Sequence, residues 1–395
     1  MTALHLPWTA TPGGAALLAA LDAANGDTRL VGGAVRDALL GLPMKDIDLA
    51  TRLPPAEVMR RLRAAGLKAV PTGLAHGTVT AVTPDLTAEV TTLRRDVATD
   101  GRHAEVAFTD DWREDASRRD FTINALYAVL PEGPISDFFG GIDDLRARRV
   151  RFIGEPLQRI AEDHLRILRF FRFSARFAAT VDADGLAACA ARANDLMALS
   201  RERIAGELRG LLLVDDPLPS LALMIAHGIL APVLPEITAA RLPVLARLLA
   251  AEIDAAIAPH WIRRLAALLP PDPAIADTIA ARLRLSKAER RRLGLAVRAW
   301  SGGDPLPQAW ADGAEAVTDR LLVAGEATSA RQVADWQRPR FAVSGRDLLA
   351  RGIAAGPEVS RLLGRIEAGW IAAGFPSDAA SMAALIEVEV KAHQG

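Results

Sequence analysis

Two aspartates, Asp46 and Asp48, are separated by one residue and follow a double glycine, Gly32–Gly33, by a short stretch of chain. On a strand, side chains two residues apart leave the same face, so both carboxylates can converge on one ligand. Converging carboxylates repel each other unless a hard cation such as Mg²⁺ joins them. The double glycine lets the backbone approach a ligand closely, and the N-terminus of the following helix favours an anion. The stretch 30–51 therefore indicates phosphate and metal chemistry.

Each of these features also has a simpler interpretation. A double-glycine turn on its own is usually an ordinary turn, and an isolated Asp-x-Asp pair is often a solvated strand edge or a helix cap. Here the two occur together, and Arg36 lies one helical turn past the glycines. The combination favours a functional site over either simpler interpretation.

Other polar residues in the first third of the chain could complete such a site. Glu89 stands between apolar neighbours in an expected strand, where it could face the aspartates as a third carboxylate; a strand-surface Glu is the alternative. If the segment 118–126 is helical, Asp120 and Asn124 share one face and could read a ribose hydroxyl. Arg119 could contact a triphosphate. A capping and surface pattern is the alternative for this segment.

A regular series of charged residues follows in the segment 162–173. Asp163, Arg166, Arg169 and Arg172 are three residues apart, which predicts a polar stripe on a helix whose other face carries Leu, Ile and Phe. A carboxylate one turn from a guanidinium offers an acceptor and fixed donors at one edge, as the reading of a base edge requires. A surface ion pair, worth about 0.3 kcal/mol, is the alternative.

The elements that must position these residues fall into two classes along the chain. Alternating and β-branched stretches predict a sheet in the first third, whereas the pattern from about residue 153 onward is helical almost throughout. Residues 94–104 are polar and predict either a loop that could move over a nucleotide or an ordinary hairpin loop, and 137–141 predict a turn with two glycines that could act as a hinge. The expected strands are 28–31, 46–48, 67–70, 78–83, 87–93 and 105–108, and the early helices are 15–24 and 54–63.

Composition bounds the possible functions. The chain has 395 residues, half of them hydrophobic, and a formal net charge of −1, so it has several domains and no global basic signature. The best local basic patch is 282–298, which could contact phosphates. The single cysteine, Cys189, excludes an internal disulfide framework and fits a reducing cytoplasm. The run 217–235 is too broken by prolines to span a membrane, and the first residues do not resemble a signal peptide.

The motifs, taken in order, resemble those of the bacterial class II CCA-adding enzymes, which are tRNA nucleotidyltransferases, and of their relatives the bacterial poly(A) polymerases. The resemblance covers about residues 30–208 and rests on Gly-Gly-x-x-Arg-Asp with Asp-x-Asp, on Glu-Val-Thr-Thr, on Arg-Arg-Asp-Phe-Thr-Ile-Asn-Ala-Leu and on Glu-Asp-x-x-Arg. The segments 72–78 and 139–141 add to it. Ala75 departs from the pattern, because many relatives carry Lys there.

The resemblance implies an α+β fold: a small mixed-sheet nucleotidyltransferase head of the polymerase-beta-like type, followed by an all-helical neck, body and tail. The head would span residues 1–150, the neck with its nucleobase-reading helix 151–215, the body 216–330 and the tRNA-binding tail 331–395. The implied reaction is template-independent addition of CCA to the 3′ end of tRNA from CTP and ATP, with Mg²⁺ as cofactor.

The resemblance also assigns roles to individual positions. The metal carboxylates fall on Asp46 and Asp48, and Glu89 stands where a third, supporting carboxylate is expected. The remaining positions are nucleotide-binding. Gly32, Gly33, Arg36 and Arg119 would hold the triphosphate. Asp120 and Asn124 would read the ribose, and Asp163 and Arg166 would read the base. Arg169 and Arg172 would continue the arginine stripe.

Three other functions compete with CCA addition. The nearest is a poly(A) polymerase, against which the His-Gly-Thr form of residues 76–78 and the lack of a long basic C-terminal tail both count. A CC-only or A-only enzyme is the second, and the loop 94–104 would decide it. A catalytically silent RNA-binding adaptor is the third, and the intact pair Asp46 and Asp48 counts against it. No pattern indicates an oligomeric state.

Overall fold

The structure, a computed structural model, describes residues 4–44, 46–99 and 104–394. The chain divides into two compact units, Met1–Ala239 and Ala240–Gly395. The boundary between the units falls inside the segment expected to form the body, so the division into head, neck, body and tail stays a prediction.

The first unit contains a mixed sheet of seven strands in the order β3-β4-β5-β2-β1-β8-β9, and a separate two-stranded hairpin of β6 and β7. Strands β2 and β5 are parallel, and the other neighbours in both sheets are antiparallel. The strands are β1 Thr28–Val31, β2 Ile47–Thr51, β3 Lys68–Gly73, β4 Thr78–Val82, β5 Thr87–Thr92, β6 Arg94–Thr99, β7 Ala104–Phe108, β8 Leu126–Val129 and β9 Ile135–Asp137.

Alternation along β5 shows how the sequence sets the two faces of the sheet. Ala88 and Val90 are buried, whereas Thr87 and Glu89 are exposed. Ala88 and Val90 pack in the same hydrophobic core as Val58, which lies on the helix Pro55–Ala64. One face of the sheet is therefore apolar and closed, and the other keeps Glu89 open, as period-two patterning predicts.

In the described part of the first unit, ten α-helices accompany the sheet and continue the chain after it. The helix expected at 54–63 is confirmed, with Pro55 in its first turn and Gly66 at φ +75° beyond its end. Ser200 caps a later helix by accepting a hydrogen bond from the Arg203 N–H at 3.4 Å. The helices are α1 Pro12–Ala20, α2 Gly33–Leu39, α3 Pro55–Ala64, α4 Trp112–Ser117, α5 Gly141–Arg146, α6 Pro156–Glu162, α7 Arg166–Phe177, α8 Ala183–Ala191, α9 Arg201–Leu212 and α10 Leu218–Ala226.

The described part of the second unit is helical, as the sequence predicted. Nowhere in the described ranges is a helix long and apolar enough to cross a membrane. The helices are α11 Leu242–Asp254, α12 Trp261–Leu268, α13 Pro273–Arg282, α14 Lys287–Ala296, α15 Pro305–Asp312, α16 Ala314–Ala324, α17 Ala327–Asp335, α18 Gly345–Leu349, α19 Pro357–Ala372 and α20 Ala379–Gln394.

The segment 94–104, for which a loop over the nucleotide and a hairpin loop were both considered, is largely strand. Residues 94–99 form β6 and pair with β7, and residues 100–103 lie outside the described residues. The polar composition of this segment indicated a loop, but strand pairing depends on an available partner backbone more than on local polarity. The antiparallel pairing of β6 with β7 agrees with the hairpin alternative.

Candidate nucleotide-binding site

The double glycine forms a tight turn between β1 and α2. Gly32 has φ +66°, a left-handed conformation that favours glycine, and its N–H donates to the Leu126 carbonyl oxygen at 3.0 Å. A Cβ added to Gly32 would lie 3.3 Å from Arg119 Nη1 and 3.5 Å from the Asn124 carbonyl oxygen. The turn therefore brings the end of β1 against the segment that carries Arg119 and Asn124.

The candidate metal carboxylates lie at the start of β2 and on its neighbour. Asp46 is exposed and directly precedes β2, Asp48 is half-buried within it, and Glu89 is the register partner of Asp48 on the parallel strand β5. Burial raises the pKa of Asp48, and the negative charges of Glu89 and Asp46 raise it further, whereas the Arg119 charge lowers it. Asp48 is therefore within the electrostatic influence of Glu89, Arg119 and Asp46.

The donor set fits a divalent cation that is shared with a substrate. Across residues 4–44, 46–99 and 104–394, no group of three or more His, Cys, Asp or Glu side chains could hold a metal ion by itself. Magnesium needs fewer protein ligands, because it is commonly bound by one or two carboxylates together with substrate phosphates. Asp46 and Asp48 supply two carboxylates whose mutual repulsion such an ion would relieve.

Arg119 is held along one edge of its guanidinium. Its Nε donates to the Tyr127 hydroxyl at 3.0 Å, and its Nη2 donates to Asp115 Oδ2 at 3.1 Å. Asp115 is 1% exposed and also accepts from the Tyr127 hydroxyl at 2.6 Å and from Arg118 Nε at 2.9 Å. Burial lowers the pKa of Arg119, but Tyr127 and Asp115 more than compensate and hold it above its usual value.

The roles of Asp115 and Tyr127 were not predicted from the sequence. Asp115 precedes Arg118 and Arg119 by three and four residues, which is the spacing of ion pairs within a helix, so its contact with them could have been inferred. Tyr127 is the only tyrosine of the chain, but nothing in local periodicity links it to Arg119. Tyr127 lies beside Arg119 because of its place on strand β8.

The segment 118–126 is not the α-helix that was considered in the sequence analysis. Phe121 instead forms an antiparallel bridge with Phe152, and a single 3-10 turn covers Thr122–Asn124. Asp120 and Asn124 are nevertheless in contact, because Asn124 Nδ2 donates to Asp120 Oδ1 at 3.0 Å. Long-range backbone pairing has overridden the helical spacing and still brought the expected pair together.

The glycine turn at 139–141 packs directly behind this segment. A Cβ added to Gly141 would lie 2.2 Å from the Thr122 carbonyl oxygen. The Thr122 hydroxyl donates to Asp144 Oδ2 at 2.6 Å, and Asp144 is fully buried. The turn expected to be a hinge is therefore a close packing contact at the start of α5, within residues 1–150.

Arg36 and Arg169 occupy the remaining polar atoms of the Asp120/Asn124 pair. Arg36 Nη1 donates to Asn124 Oδ1 at 2.5 Å, and Arg169 Nε donates to Asp120 Oδ2 at 2.7 Å. Burial raises the pKa of Asp120, but Arg169 and Asn124 outweigh it and hold the pKa below its usual value. Arg36 is 5% exposed and lies 4.3 Å over the Phe177 ring. Arg36 therefore contacts the candidate ribose-reading pair from the buried side.

The candidate base-reading residues lie at a break between two helices. Helix α6 ends at Glu162, Asp163 is extended at φ −149°, and α7 begins at Arg166. The prediction of one helix carrying both residues was therefore wrong. Asp163 Oδ1 accepts from the Leu165 N–H at 3.1 Å, a local contact through which Asp favours leaving a helix. The break turns Asp163 toward α9, where Arg203 Nη2 donates to its two carboxylate oxygens at 3.0 and 2.9 Å.

Arg166, Arg169 and Arg172 do share α7, so the predicted arginine stripe is confirmed for these three. Arg166 donates to Glu162 Oε2 and to the Arg118 carbonyl oxygen, each at 2.7 Å. Arg172 Nε donates to Glu207 Oε2 at 2.5 Å, and Arg169 Nη1 lies 3.6 Å from Glu207 Oε1. Glu207 is on α9 and was not identified as a partner from the sequence. Arg169 and Arg172 therefore contact α9.

Comparison with known proteins identifies the class of this architecture. The sequence profile described as "Poly A polymerase head domain" matches residues 28–151, and that described as "Probable RNA and SrmB- binding site of polymerase A" matches residues 180–241. The crystal structure of the Bacillus stearothermophilus CCA-adding enzyme in complex with CTP superposes with a TM-score of 0.74 at 27% identity, covering 97% of this chain and 99% of that chain. The protein is a nucleotidyltransferase whose head domain matches that of the poly(A) polymerases.

Sequence relatives narrow the class to one family. The human mitochondrial CCA tRNA nucleotidyltransferase 1 is 35% identical over 371 residues, covering 89% of this chain and 84% of the relative. The CCA-adding enzyme of Levilactobacillus brevis is 29% identical over 391 residues, covering 94% and 96%. The chain belongs to the CCA tRNA nucleotidyltransferase family, whose chemistry is typically metal-dependent. This outcome confirms the family and the α+β fold class inferred from the sequence motifs.

Proposed function

We propose that this protein adds CCA to the 3′ end of tRNA, using CTP and ATP and no nucleic-acid template. The observation that carries the proposal is the geometry beside the Gly32 turn: Asp48 and Glu89 are register partners on β2 and β5, and Arg119 Nη1 lies 3.3 Å from the position of a Cβ on Gly32. An excess of carboxylates next to a guanidinium suits the joint binding of a divalent cation and a polyphosphate. Family membership supplies the reaction that such a site would perform.

Asp46 and Asp48 would hold magnesium, and Glu89 would support Asp48 from the neighbouring strand. When bound, magnesium would supply Lewis-acid activation of the tRNA 3′-hydroxyl and would neutralise charge on the departing pyrophosphate. The protein's own task is positioning, since phosphoryl-type transfer needs reactants held in line more than it needs covalent chemistry. The rigid pairing of β2 with β5 serves that task.

Three groups of residues would bind the nucleotide. Gly32, Gly33 and Arg119 would contact the triphosphate, because the turn leaves the backbone accessible and Arg119 lies beside it. Asp120 and Asn124 would contact the ribose, held in place by Arg169 and Arg36. This arrangement favours an indirect role for Arg36, whereas the direct triphosphate contact suggested by the family resemblance stays a prediction.

Asp163 and Arg166 would choose the base. A carboxylate and a guanidinium present complementary acceptor and donor edges to the Watson–Crick edges of cytosine and adenine. Arg203 supports Asp163 with two hydrogen bonds, and the Arg118 carbonyl oxygen supports Arg166 with one. Arg169 and Arg172 would continue this face through their contacts with Glu207.

The basic segment 282–298 would contribute contacts to the tRNA backbone. Arg292 pairs with the buried Asp319, and Arg290 pairs with Asp277, so these two guanidinium groups are already neutralised. Lys287 and Arg291 are exposed on α14 and carry no ion pair to any described residue. On α14 the phosphate-contacting surface is thus smaller than the sequence suggested, and we assign it there to Lys287 and Arg291.

We also propose a reducing compartment, the cytoplasm, as the site of action. Cys189 is buried and free, and burial raises the pKa of its thiol, which keeps it protonated and unreactive. The human relative named above is mitochondrial. Localisation of a tagged full-length protein by microscopy or fractionation would test the assignment.

One experiment tests the function. Three tRNA transcripts, ending before CCA, after CC, or after complete CCA, are incubated with the protein, Mg²⁺, CTP and ATP, and the products are sequenced. We expect addition of three nucleotides to the first transcript, one adenosine to the second and none to the third. The Asp48→Asn variant serves as the matched negative control.

The same experiment separates the alternatives. A continuing adenosine tail would identify a poly(A) polymerase, and arrest after CC or acceptance of only the CC-ended transcript would identify a partial enzyme. No product with any of several divalent metals, together with retained tRNA binding, would identify a silent adaptor. Each of these outcomes contradicts complete CCA addition.

A further inference from the structure

We propose that Asp115 and Tyr127 are positioning residues that fix the guanidinium of Arg119 for the triphosphate of the incoming nucleotide. The inference rests on the proposed function, because it takes the anion beside the Gly32 turn to be a nucleoside triphosphate. Neither residue would touch the substrate. Their effect on it would pass through Arg119.

The contacts form a closed triangle of side chains. Arg119 donates to both Tyr127 and Asp115, and the Tyr127 hydroxyl in turn donates to Asp115 Oδ2 at 2.6 Å. These hydrogen bonds join Asp115 Oδ2, the Tyr127 hydroxyl, and Nε and Nη2 of Arg119. Because the Tyr127 hydroxyl both accepts and donates, it links the two charged groups and fixes the rotation of the guanidinium plane.

Asp115 is itself anchored so that it can act as a fixed point. It is 1% exposed, and its Oδ1 accepts from Arg118 Nε at 2.9 Å and from the Arg94 N–H at 3.2 Å. The Tyr127 ring packs edge-on against Trp112 with centroids 5.4 Å apart. Both partners of Arg119 therefore belong to the packed interior of the first unit.

The triangle uses Nε and Nη2 and leaves Nη1 on the side of the glycine turn. Nη1 is the Arg119 atom that a Cβ at Gly32 would meet at 3.3 Å, and it makes no hydrogen bond to any residue that the structure describes. A free donor held rigidly beside an accessible backbone turn can bind an anionic oxygen. The ordering of a long, flexible side chain is completed before the ligand arrives, which favours binding of that ligand.

Asp115 also supports Arg118 and the start of β6, so a loss of activity alone would not separate positioning of Arg119 from general support of the fold. A double-mutant cycle does separate them, because a residue that acts through Arg119 has no further effect once Arg119 is removed. The cycle uses Asp115→Asn, Arg119→Ala and the double variant. Dissociation constants for CTP and for CMP are measured by calorimetry, and nucleotide addition is measured on the tRNA transcript ending before CCA.

We expect Asp115→Asn to weaken CTP binding by about tenfold, the typical effect of losing a hydrogen bond to a charged group, and to leave CMP binding unchanged. CMP lacks the two outer phosphates, so it reports on the ribose and base contacts alone. In the Arg119→Ala background, Asp115→Asn should cause no further weakening for CTP. Tyr127→Phe, which removes only the hydroxyl, should weaken CTP binding by a smaller factor. This effect should also be absent in the Arg119→Ala background.

Asp144→Asn is the matched control. Asp144 is as buried as Asp115 and also accepts hydrogen bonds from two arginines, Arg149 and Arg151, but it does not contact Arg119. Its replacement should lower the melting temperature and should change CTP binding by the same factor with Arg119 present or absent. Such additivity would show that the cycle detects energetic coupling to Arg119 and does not respond to a general loss of stability.

Two outcomes would overturn the inference. The first is a full, additive effect of Asp115→Asn on CTP binding in the Arg119→Ala background, and the second is equal weakening of CTP and CMP. If Asp115→Asn fails to fold, Tyr127→Phe carries the same test. Failure of the proposed function looks different, since the wild-type protein would then not complete CCA on the tRNA transcript ending before CCA, whatever the cycle reports.

Discussion

Two clusters of charged residues in this protein have opposite balances. In the sheet of the first unit, three carboxylates, Asp46, Asp48 and Glu89, lie near one guanidinium, that of Arg119, which is already shared with Asp115. No described residue forms a hydrogen bond or ion pair with the side chain of Asp48 or Glu89. This cluster is incomplete on its own, and a cation would complete it.

The second cluster lies within the second unit, and each of its charged side chains is paired with one of opposite charge. Arg263 donates to Glu252 at 2.8 Å and to Asp319 at 3.1 Å, and both carboxylates are almost fully buried. Arg264 adds a second donor to Glu252, Arg292 adds a second donor to Asp319, and Arg292 also pairs with Glu315, so that three guanidinium groups meet three carboxylates. Buried charges persist only when they are paired, so this cluster needs no ligand. The comparison suggests that unbalanced charge at a surface marks chemistry, whereas balanced charge in the interior marks structure.

The largest expected effect comes from Asp48→Asn, which we expect to lower the rate of nucleotide addition by about a thousandfold, because electrostatic groups of this kind contribute several kcal/mol to a transition state. Folding raises the pKa of Asp48, so its ionised form costs stability above that pKa, and the amide removes the cost. The melting temperature should therefore stay the same or rise. Single-turnover kinetics and thermal unfolding measure the two effects, and a large fall in melting temperature would contradict the comparison.

Glu252→Gln should have the opposite pattern, with a large loss of stability and an unchanged rate. Removing one partner of a buried ion pair typically costs about 3 kcal/mol, because the other charge stays buried without compensation. Two guanidinium groups, those of Arg263 and Arg264, would lose their shared carboxylate. Denaturant unfolding measures the stability, and the rate per folded molecule measures the chemistry. Asp277→Asn, at an exposed pair with Arg290, is the control and should leave the unfolding midpoint unchanged.

The incomplete cluster was largely predictable from the sequence. Period-two alternation puts Glu89 on the open face of β5, and the spacing of Asp46 and Asp48 indicates one shared site. The side-chain partners were not predictable in the same way. Glu207 meets Arg172, and Arg203 meets Asp163, across 35 and 40 residues of sequence. Such pairs depend on how helices pack, and local periodicity carries no information about packing partners.

The helix break at Asp163 shows a further limit of sequence reasoning. The spacing of Asp163, Arg166 and Arg169 fits one helix, but Asp163 lies outside α7 and turns toward Arg203. A tertiary ion pair and a local backbone contact together outweighed helical propensity, which is a weak determinant at a single position. The expected pairing of Asp120 with Asn124 held for a different reason, since a bridge to Phe152 positions the segment without an α-helix.

Asp163→Ala should relax nucleotide choice by about tenfold, the usual discrimination from one well-placed base contact, while the rate with the correct nucleotide changes little. Arg203→Ala should have a similar but smaller effect, because Arg203 donates two hydrogen bonds to Asp163 and would act by orienting it. Single-nucleotide incorporation with CTP, ATP, GTP and UTP measures the selectivity. Asp277→Asn, at the exposed pair with Arg290, is the control and should leave the selectivity unchanged. Unchanged selectivity in Asp163→Ala would remove its assignment as a base-reading residue.

The smallest expected effect concerns tRNA binding, and it compares paired with unpaired basic residues on the single helix α14. Lys287 and Arg291 on α14 are exposed and carry no ion pair to a described residue, whereas Arg290 on the same helix pairs with Asp277. Each phosphate contact contributes a slope of about 0.9 to the dependence of log affinity on log salt, so Lys287→Ala and Arg291→Ala should each lower the slope for tRNA binding by about that amount. Arg290→Ala should lower it less, because the Asp277 carboxylate already neutralises that guanidinium. Equal losses from all three variants would mean that pairing within the protein does not decide which basic residues contact the RNA.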